Sequence, residues 1–544
     1  MAKRNYADLT KAELIQLLDA RDRRDATRFG LVWEANEIER DKALNQDFVS
    51  LDLDHALSCG DAPWKNLIIE GDNFDALRYL RMTFAGRVKC IYIDPPYNTG
   101  NKDFVYNDHY VDKEDLWRHS KWCEFMFQRL TLAKDLLRQD GVIFVSIGDD
   151  EIHHLGMLMA RVFGEANYVA NIIWQKVFSP KNTAIHFSGD HEYLVVCAQN
   201  ASEWRPNLLP RGLEAIDRYK NPDNDPRGVW TSSDVSARNF YSLGTYAVSS
   251  PSGRVIESPP PGRYWTVSKE NFERLDKENR IWWGKSGNNM PRLKRFLSDV
   301  KDGVVPQTLW SHADAGNTQE AKKELLDALQ LQGNERVFST PKPLKLIDKI
   351  LRLATDKDSL ILDFFAGSGT TAHAVHKLNK EDGGSRRVIL VSSTEATTDE
   401  PGKNICRDVC ATRLRRVIEG YGENAGLGGD FAYLRCRRIS PGNITDVDHE
   451  QVWIALQLTH MPTFTTFDES QKFMIADHDG QRLIYVPHLK ARGSQMLLEA
   501  ALESPSTIVY TWQSELVRQR LVTATNTQIE PVPESLAQRF GLRI

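Results

Sequence analysis

From residue 66 the chain alternates short apolar runs with longer stretches whose apolar positions recur every third or fourth residue. NLIIEG and VKCIYID read as buried strands, whereas DALRYLRMTF and EFMFQRLTLAKDLLRQ read as amphipathic helices. Asp140-Gly141 then turns the chain into another apolar run, GVIFVSI. Strands that are apolar along their length and separated by helices predict a parallel sheet covered on both faces. Such sheets bind ligands at the carboxyl ends of their strands.

The rhythm breaks between about Gln199 and Asn334, where YKNPDNDPRGVW, SSPSGRVIESPPPGRYW and IWWGKSGNNMPRLKRF are rich in Pro, Gly, Asn, Arg and Trp. It then resumes with PLKLIDKILRLA as a helix, SLILDFF as a strand, TTAHAVHKL as a helix and RRVILVSST as a strand. One α/β sheet, split between residues 61–198 and 335–429 by a domain inserted at 199–334, is the organisation expected. Residues Leu9 to Leu44 carry leucines at helical spacing among many charges, so 1–60 is expected to be a helical arm. Beyond Gly429, RLIYVP and IVYTW as strands and SQMLLEAALES as a helix predict a small α/β domain over 430–544.

The composition, 41% hydrophobic and 26% charged over 544 residues, is that of an ordinary soluble chain. No apolar run of about 18 residues occurs and the amino terminus lacks a signal-peptide core, so a cytoplasmic protein without a membrane partner is expected. The seven cysteines are scattered without a CxxC pair and read as reduced, buried thiols. Cys406 and Cys410 lie one helical turn apart, but two thiolates cannot complete a zinc site, and no metal is expected. A net charge of −5 excludes a uniformly basic nucleic-acid coat protein, not a local basic cleft.

Two loops carry candidate chemistry. In the first, Asp363-Phe364-Phe365-Ala366-Gly367-Ser368-Gly369-Thr370-Thr371 joins a strand to a helix through closely spaced glycines. Glycine permits close backbone approach, and the N–H groups of the helix start can receive a carboxylate or phosphate. A dinucleotide, a phosphate and S-adenosylmethionine all fit such a turn. No lysine follows Gly369, which removes the Walker reading, and Ala372 stands where a dinucleotide fingerprint has its third glycine. Glu395, after the next strand, is placed either to accept ribose hydroxyls or to be a surface acid.

The second loop, Asp94-Pro95-Pro96-Tyr97, follows VKCIYI. Consecutive prolines stiffen the backbone and leave its carbonyls free to accept. Asp94 and the Pro95 carbonyl can hold both hydrogens of an exocyclic amine, and Tyr97 offers an aromatic face to an extruded base.

DPPY followed by FAGSGTT, with an insertion between, resembles the beta class of DNA amino-methyltransferases. NLIIEGDNFDAL, VKCIYIDPPYNTGNKDFVYND, LLRQDGVIFVSIGDDE, IIWQKVFSPKN, HFSGDHEYLVV, GNNMPRLKRFLSDV, FSTPKPLKLIDKIL and ICRDVCATRLRRVI are similar to segments of the Mod subunits of type III restriction-modification systems. The resemblance implies a circularly permuted, Rossmann-like, S-adenosylmethionine-dependent methyltransferase sheet with an inserted target-recognition domain. It implies that Asp94, Pro95 and Tyr97 engage a target adenine in double-stranded DNA, and that Asp363 to Thr371 hold the methionine end of the cofactor. Lys342 would lie near that end, Glu395 near the ribose and Asp72 near the adenosine. A homodimer and a separate helicase-nuclease subunit are the implied protein partners.

Direct displacement by adenine N6 on the sulfonium methyl is the expected chemistry. N4 of cytosine is the within-class alternative, although that branch commonly has serine where this chain has Asp94. A DNA-targeting subunit that serves a separate helicase-nuclease, with methylation secondary, is the alternative from another class, and a nicotinamide oxidoreductase would leave the DPPY loop unexplained. In the insertion, Arg254, Arg263, Lys285, Arg292, Lys294 and Arg295, with Asn288 and Asn289, are the candidate DNA contacts, while Trp282 and Trp283 are read as core.

Overall fold

In a computed structural model, the structure describes residues 48–100, 117–211, 216–300, 303–331, 338–397, 400–439, 447–489 and 493–532, and the backbone of 105–106 and 109–110. The helical arm expected at Leu9–Leu44 lies outside these residues.

A ten-stranded mixed sheet organises the fold. Its strands and main helices run in chain order β1 (Phe48–Cys59), β2 (Leu67–Glu70), α1 (Asn73–Phe84), β3 (Val88–Ile93), α2 (Arg118–Leu136), β4 (Leu137–Ile147) and α3 (Ile152–Phe163). After them come β5 (Tyr168–Gln175), β6 (His191–Ala198), β7 (Leu309–Trp310), α4 (Leu344–Ala354), β8 (Leu360–Asp363), α5 (Thr370–Asp382), β9 (Arg387–Ser392), α6 (Thr412–Glu419), β10 (Phe431–Ile439) and α7 (His449–His460). The spatial order is β1-β10-β2-β9-β8-β3-β4-β6-β5-β7. From β10 to β4 neighbouring strands are parallel, whereas β1 and β6 run antiparallel to their neighbours.

The central strands are largely apolar because both faces are covered. Ile91, Ile93, Ile143, Val145 and Leu362 enter one core with residues of α1, α2, α3 and α7. Cys90, Tyr92, Val142, Phe144 and Ile361 enter the other, with α4, α5 and α6. This period-two division is what a parallel sheet packed on both sides requires.

From β8 the chain proceeds to β9 on one side, and from β3 to β4 on the other. The gap between the carboxyl ends of β8 and β3 is therefore a topological switch point, where the loops leaving two adjacent strands diverge and open a crevice. Register places Ile361 opposite Cys90 and Leu362 opposite Ile91. Asp363 thus falls beside Tyr92, two residues before Asp94, so two loops far apart in sequence leave adjacent strands.

Three boundaries move. Phe48–Cys59 is an edge strand paired with β10, so the segment before residue 60 is not all arm. Phe431–Ile439 is parallel to β2 and α7 packs in the main core, so the terminal unit begins after them; its own sheet spans Met474–His478, Gln481–Val486, Ser506–Thr511 and Thr527–Pro531. The insertion is also narrower than 199–334. Leu209 and Val304 exchange backbone hydrogen bonds of 3.0 and 2.8 Å where the chain leaves and re-enters, and Trp204 and Trp310 belong to the main core. Between them the module has its own core of Val235, Val248, Ile256, Trp265, Phe272, Ile281 and Trp283.

Candidate active site

Asp94 stands one residue beyond β3, its side chain one-fifth exposed. Trp122 of α2 donates its indole N–H to the Pro96 carbonyl at 2.7 Å, fixing the proline pair, while the Pro95 carbonyl accepts no hydrogen bond among the described residues. A Cβ on Gly148, at the end of β4, would stand 3.0 Å from the Tyr97 ring, so glycine there lets that ring lie against the sheet edge. Asn98 follows in a left-handed conformation (φ 57°), fully buried, with its amide donating to Glu151 Oε1 at 2.5 Å.

Lys342 comes two residues before α4, whose start brings it over the switch point. Its Nζ lies 2.7 and 2.6 Å from the two oxygens of Asp94, 3.7 Å from Glu192 Oε2 and 5.1 Å from the centre of the Tyr97 ring. Glu192 of β6 accepts the Tyr97 hydroxyl at 2.9 Å and pairs with Lys176 at 3.0 Å. Two carboxylates, two ammonium groups and a phenol thus share a largely buried cluster. Burial lifts Asp94 above the usual carboxylate range, and Lys342 opposes that lift while Glu192 adds to it. Burial also pushes Glu192 up, but Lys342, Lys176 and the Tyr97 hydroxyl more than offset it and hold it low. Tyr97 is pushed far up by burial and by both acids, so it stays a hydrogen-bond donor.

The glycine loop lies on the other side of the switch point. Burial lifts Asp363 to about 7, although its carboxyl accepts the Phe365 N–H at 3.0 Å and the Thr371 hydroxyl at 2.5 Å, which brace the turn. Gly367 (φ 48°) and Gly369 (φ 73°) are left-handed; a Cβ on the first would meet Phe338 at 2.7 Å and on the second Cys410 Sγ at 3.0 Å. Phe338 and Cys410 fill the space a side chain would need at these two positions, so the turn is open only to glycine. Ser368 and Thr370 direct their hydroxyls inward to the fully buried Arg413, at 3.3 and 2.8 Å, so what they offer a ligand is their backbone. The Ala366 N–H donates to the Val391 carbonyl of β9 at 3.0 Å.

Asp72 caps α1, accepting the Phe74 N–H at 2.7 Å, and stays half exposed beside Arg129. The neighbouring Asn73 amide donates to the Phe364 carbonyl at 2.9 Å, and Phe365 packs against Phe125 with ring centres 6.0 Å apart. The ends of β2 and β8 are therefore one surface. A half-exposed acid, a glycine-lined backbone cradle and a partly buried aromatic fit a nucleoside carrying an amino-acid tail, as S-adenosylmethionine does. Glu395 sits apart from them. It is left-handed (φ 53°), nearly half exposed and paired with Lys403 at 3.1 Å, with no contact to the loop among the described residues.

The residue roles expected from sequence left out Lys176, Glu192 and Gly148, and placed Lys342 by the cofactor alone rather than on Asp94. An acid in the otherwise apolar HEYLVV strand was the available signal, because a charge is kept in such a strand only when paired. In the insertion, Lys294 is buried and paired with Asp223 and Asp225, which removes it from the candidate DNA contacts. Arg292 pairs with Asp234 at 2.8 Å and Arg263 with the same residue at 3.2 Å. Trp283 is core, as read, and Trp282 packs on Trp230.

Six of the seven cysteines are buried and none is bridged; Cys406 is pushed up to about 12 by burial. Among the described residues, His119, Glu151 and His154 are grouped closely enough to hold a metal. Arg118 Nε donates to His119 Nε2 at 3.1 Å, so His119 Nδ1 carries the ring proton and donates it to Glu151 at 2.7 Å. His154 Nδ1 stands 2.8 Å from the other Glu151 oxygen.

The acid-proline-proline-aromatic loop and the glycine turn thus leave adjacent strands of one split sheet. The sequence profile of the DNA methylase family of N6 and N4 methyltransferases matches residues 88–396, more than half of the chain, and this chain belongs to that family. It is 34% identical over 435 residues to the type III restriction-modification enzyme StyLTI Mod subunit of Salmonella typhimurium, covering 74% of this chain and 65% of that subunit. It is 31% identical to the EcoP15I Mod subunit of Escherichia coli, covering 65% of this chain and 63% of the relative. The chain thus spans just under two thirds of the length of these subunits. The type II methyltransferase M.KpnI of Klebsiella pneumoniae is 31% identical, with 71% of this chain and 96% of that enzyme aligned. Among solved structures, the cytosine-N4-specific PvuII DNA methyltransferase aligns over 74% of this chain and 96% of its own at 12% identity and a TM-score of 0.35. A putative DNA modification methylase of Thermus thermophilus complexed with S-adenosyl-L-methionine aligns over 63% and 96% at 14% identity and a TM-score of 0.30. At those scores the superpositions carry no argument. Among the described residues no helix is long and apolar enough to cross a membrane.

Proposed function

We propose that this DNA methyltransferase transfers a methyl group to N6 of adenine in double-stranded DNA, as the modification and recognition subunit of a type III restriction system. One observation carries the reading: the Asp94–Tyr97 loop and the Asp363–Thr371 cradle meet at the switch point between β3 and β8. The Mod names of two relatives support the adenine assignment and the type of system. The cofactor is S-adenosylmethionine, which supplies an electrophilic methyl whose bond to sulfur breaks with the electron pair left on sulfur.

The protein's part is positioning and electrostatics. Asp94 and the Pro95 carbonyl accept the two N6 hydrogens, which aims the nitrogen lone pair at the methyl carbon. Each carboxylate oxygen has two acceptor sites, so Asp94 takes an N6 hydrogen while Lys342 stays beside it, with Glu192 3.7 Å away as a second countercharge. The proton shed by N6 as the N–C bond forms passes to Asp94. Tyr97, held through its hydroxyl by Glu192, presents its ring to the extruded base. Asp72, Asp363, Phe365, Ala366, Gly367, Ser368, Gly369 and Thr370 form the cofactor surface, the last three through backbone. Cleavage falls to a separate helicase-nuclease, and the modification subunits act as a homodimer.

Tritiated methyl transfer to DNA, followed by nucleoside analysis, tests the reading. N6-methyladenine is expected, with Asp94→Ala abolishing transfer while still binding S-adenosylmethionine. N4-methylcytosine as the product, or equal loss of binding and transfer, overturns it.

A further inference from the structure

The connection from β5 to β6 presents large apolar side chains to solvent beside the catalytic cluster. Phe187 is 94% exposed, Ile185 92% and Phe178 61%. The loop is nonetheless tied at its base. The Lys176 and Val177 N–H groups donate to the Asp190 carbonyl at 2.9 and 3.2 Å, the Lys181 N–H donates to Ser188 Oγ at 2.8 Å, and the Ala184 N–H closes a turn on the Lys181 carbonyl at 3.0 Å. Both feet stand in the active site, because Lys176 and Glu192 are members of the Asp94 cluster. Phe187 is five residues from Glu192, and an extended chain spans at most about 3.5 Å per residue, so its Cα lies within roughly 18 Å of that cluster.

The exposed stretch 178–187, FSPKNTAIHF, contains a lysine and no acid. Apolar side chains at the tip of a braced loop, without acids and flanked by lysine, match what enters a nucleic-acid duplex: apolar wedges between base steps, with cations on the phosphates. A catalytic cluster that works on a base edge also needs the base out of the stack, which leaves a gap to be filled.

We infer that the loop of residues 176–190 enters double-stranded DNA beside the target base, with Ile185 and Phe187 occupying the space that the extruded base vacates. The inference rests on the base-methylating reading of the neighbouring cluster. It assigns the loop a task that the inserted module does not perform: the module reads the site, and the loop holds the duplex open.

The test uses the full chain with Ile185→Ser and Phe187→Ser combined, two positions whose exposure keeps the fold intact. The probe is an oligonucleotide duplex carrying the methylation site mapped from DNA this protein has modified. It is prepared with the target adenine either paired or opposite an abasic position, where extrusion costs little. On the paired duplex the double variant should methylate about 30-fold more slowly in single turnover, and on the abasic duplex within about threefold of the parent. Emission from 2-aminopurine at the target position should rise less with the variant than with the parent. An unchanged rate on paired DNA, or an equal loss on both duplexes, overturns the loop assignment while leaving the methyltransferase reading intact. A parent protein that methylates neither duplex overturns both.

Discussion

Lys342→Met separates two tasks that a lysine over the switch point could perform. In the structure its ammonium donates to both oxygens of Asp94 at 2.6–2.7 Å, within a cluster that also holds Glu192. A hydrogen bond to a charged group contributes about 1.5–3 kcal/mol, and one pKa unit corresponds to about 1.4 kcal/mol. Removing the ammonium leaves Asp94 to burial and to Glu192, both of which push its pKa up. The shift expected is about one to two units upward. Since the ionised carboxyl is the acceptor, the acid limb of the methylation rate moves to higher pH by the same amount. On that limb the variant is about 10- to 100-fold slower than the parent, and it recovers as pH rises. Lys342→Arg keeps the charge and should keep most of the limb in place. Single-turnover transfer of tritiated methyl across about pH 5.5 to 9.5 measures this, with S-adenosylmethionine affinity followed in parallel. A limb that coincides with the parent's, together with weakened cofactor binding, would refute the argument and return Lys342 to the cofactor end alone.

Glu151 is buried beneath the catalytic loop and pushed up to about 7 by burial, against an ordinary value of 4.5. Its contribution to stability is therefore full below pH 4.5 and lost as pH rises through about 7, so urea unfolding of Glu151→Gln should show a flatter pH dependence across that window; a parent-like slope would place the titration elsewhere. Lys294→Met leaves Asp225 to Arg227 alone and Asp223 without its cation, and should cost the inserted module about 1–3 kcal/mol. The salt dependence of DNA binding by the folded variant should stay unchanged, and a shallower slope would return Lys294 to the DNA surface.

The α/β alternation, the interruption of the sheet and the two chemical loops were legible in the chain because each is local. Period-two and period-three-to-four patterns set by burial lie within a few residues of one another, and the two prolines of DPPY and the glycines of AGSG act on their own backbone. Tertiary structure decided what depends on pairing between distant segments. Phe48–Cys59 and Phe431–Ile439 became strands of the main sheet because each completes the other's edge. Lys294 left the basic surface because two aspartates some seventy residues earlier bury it. Lys342, Glu192 and Lys176 joined Asp94 because β3 and β5 end, and β6 and α4 begin, at one edge of the sheet, and charges meeting there in a largely buried site must neutralise one another. The sequence by itself determined the two loops, because each is local; the folded sheet alone decided which lysine stands on Asp94 and which acid stands beside that lysine.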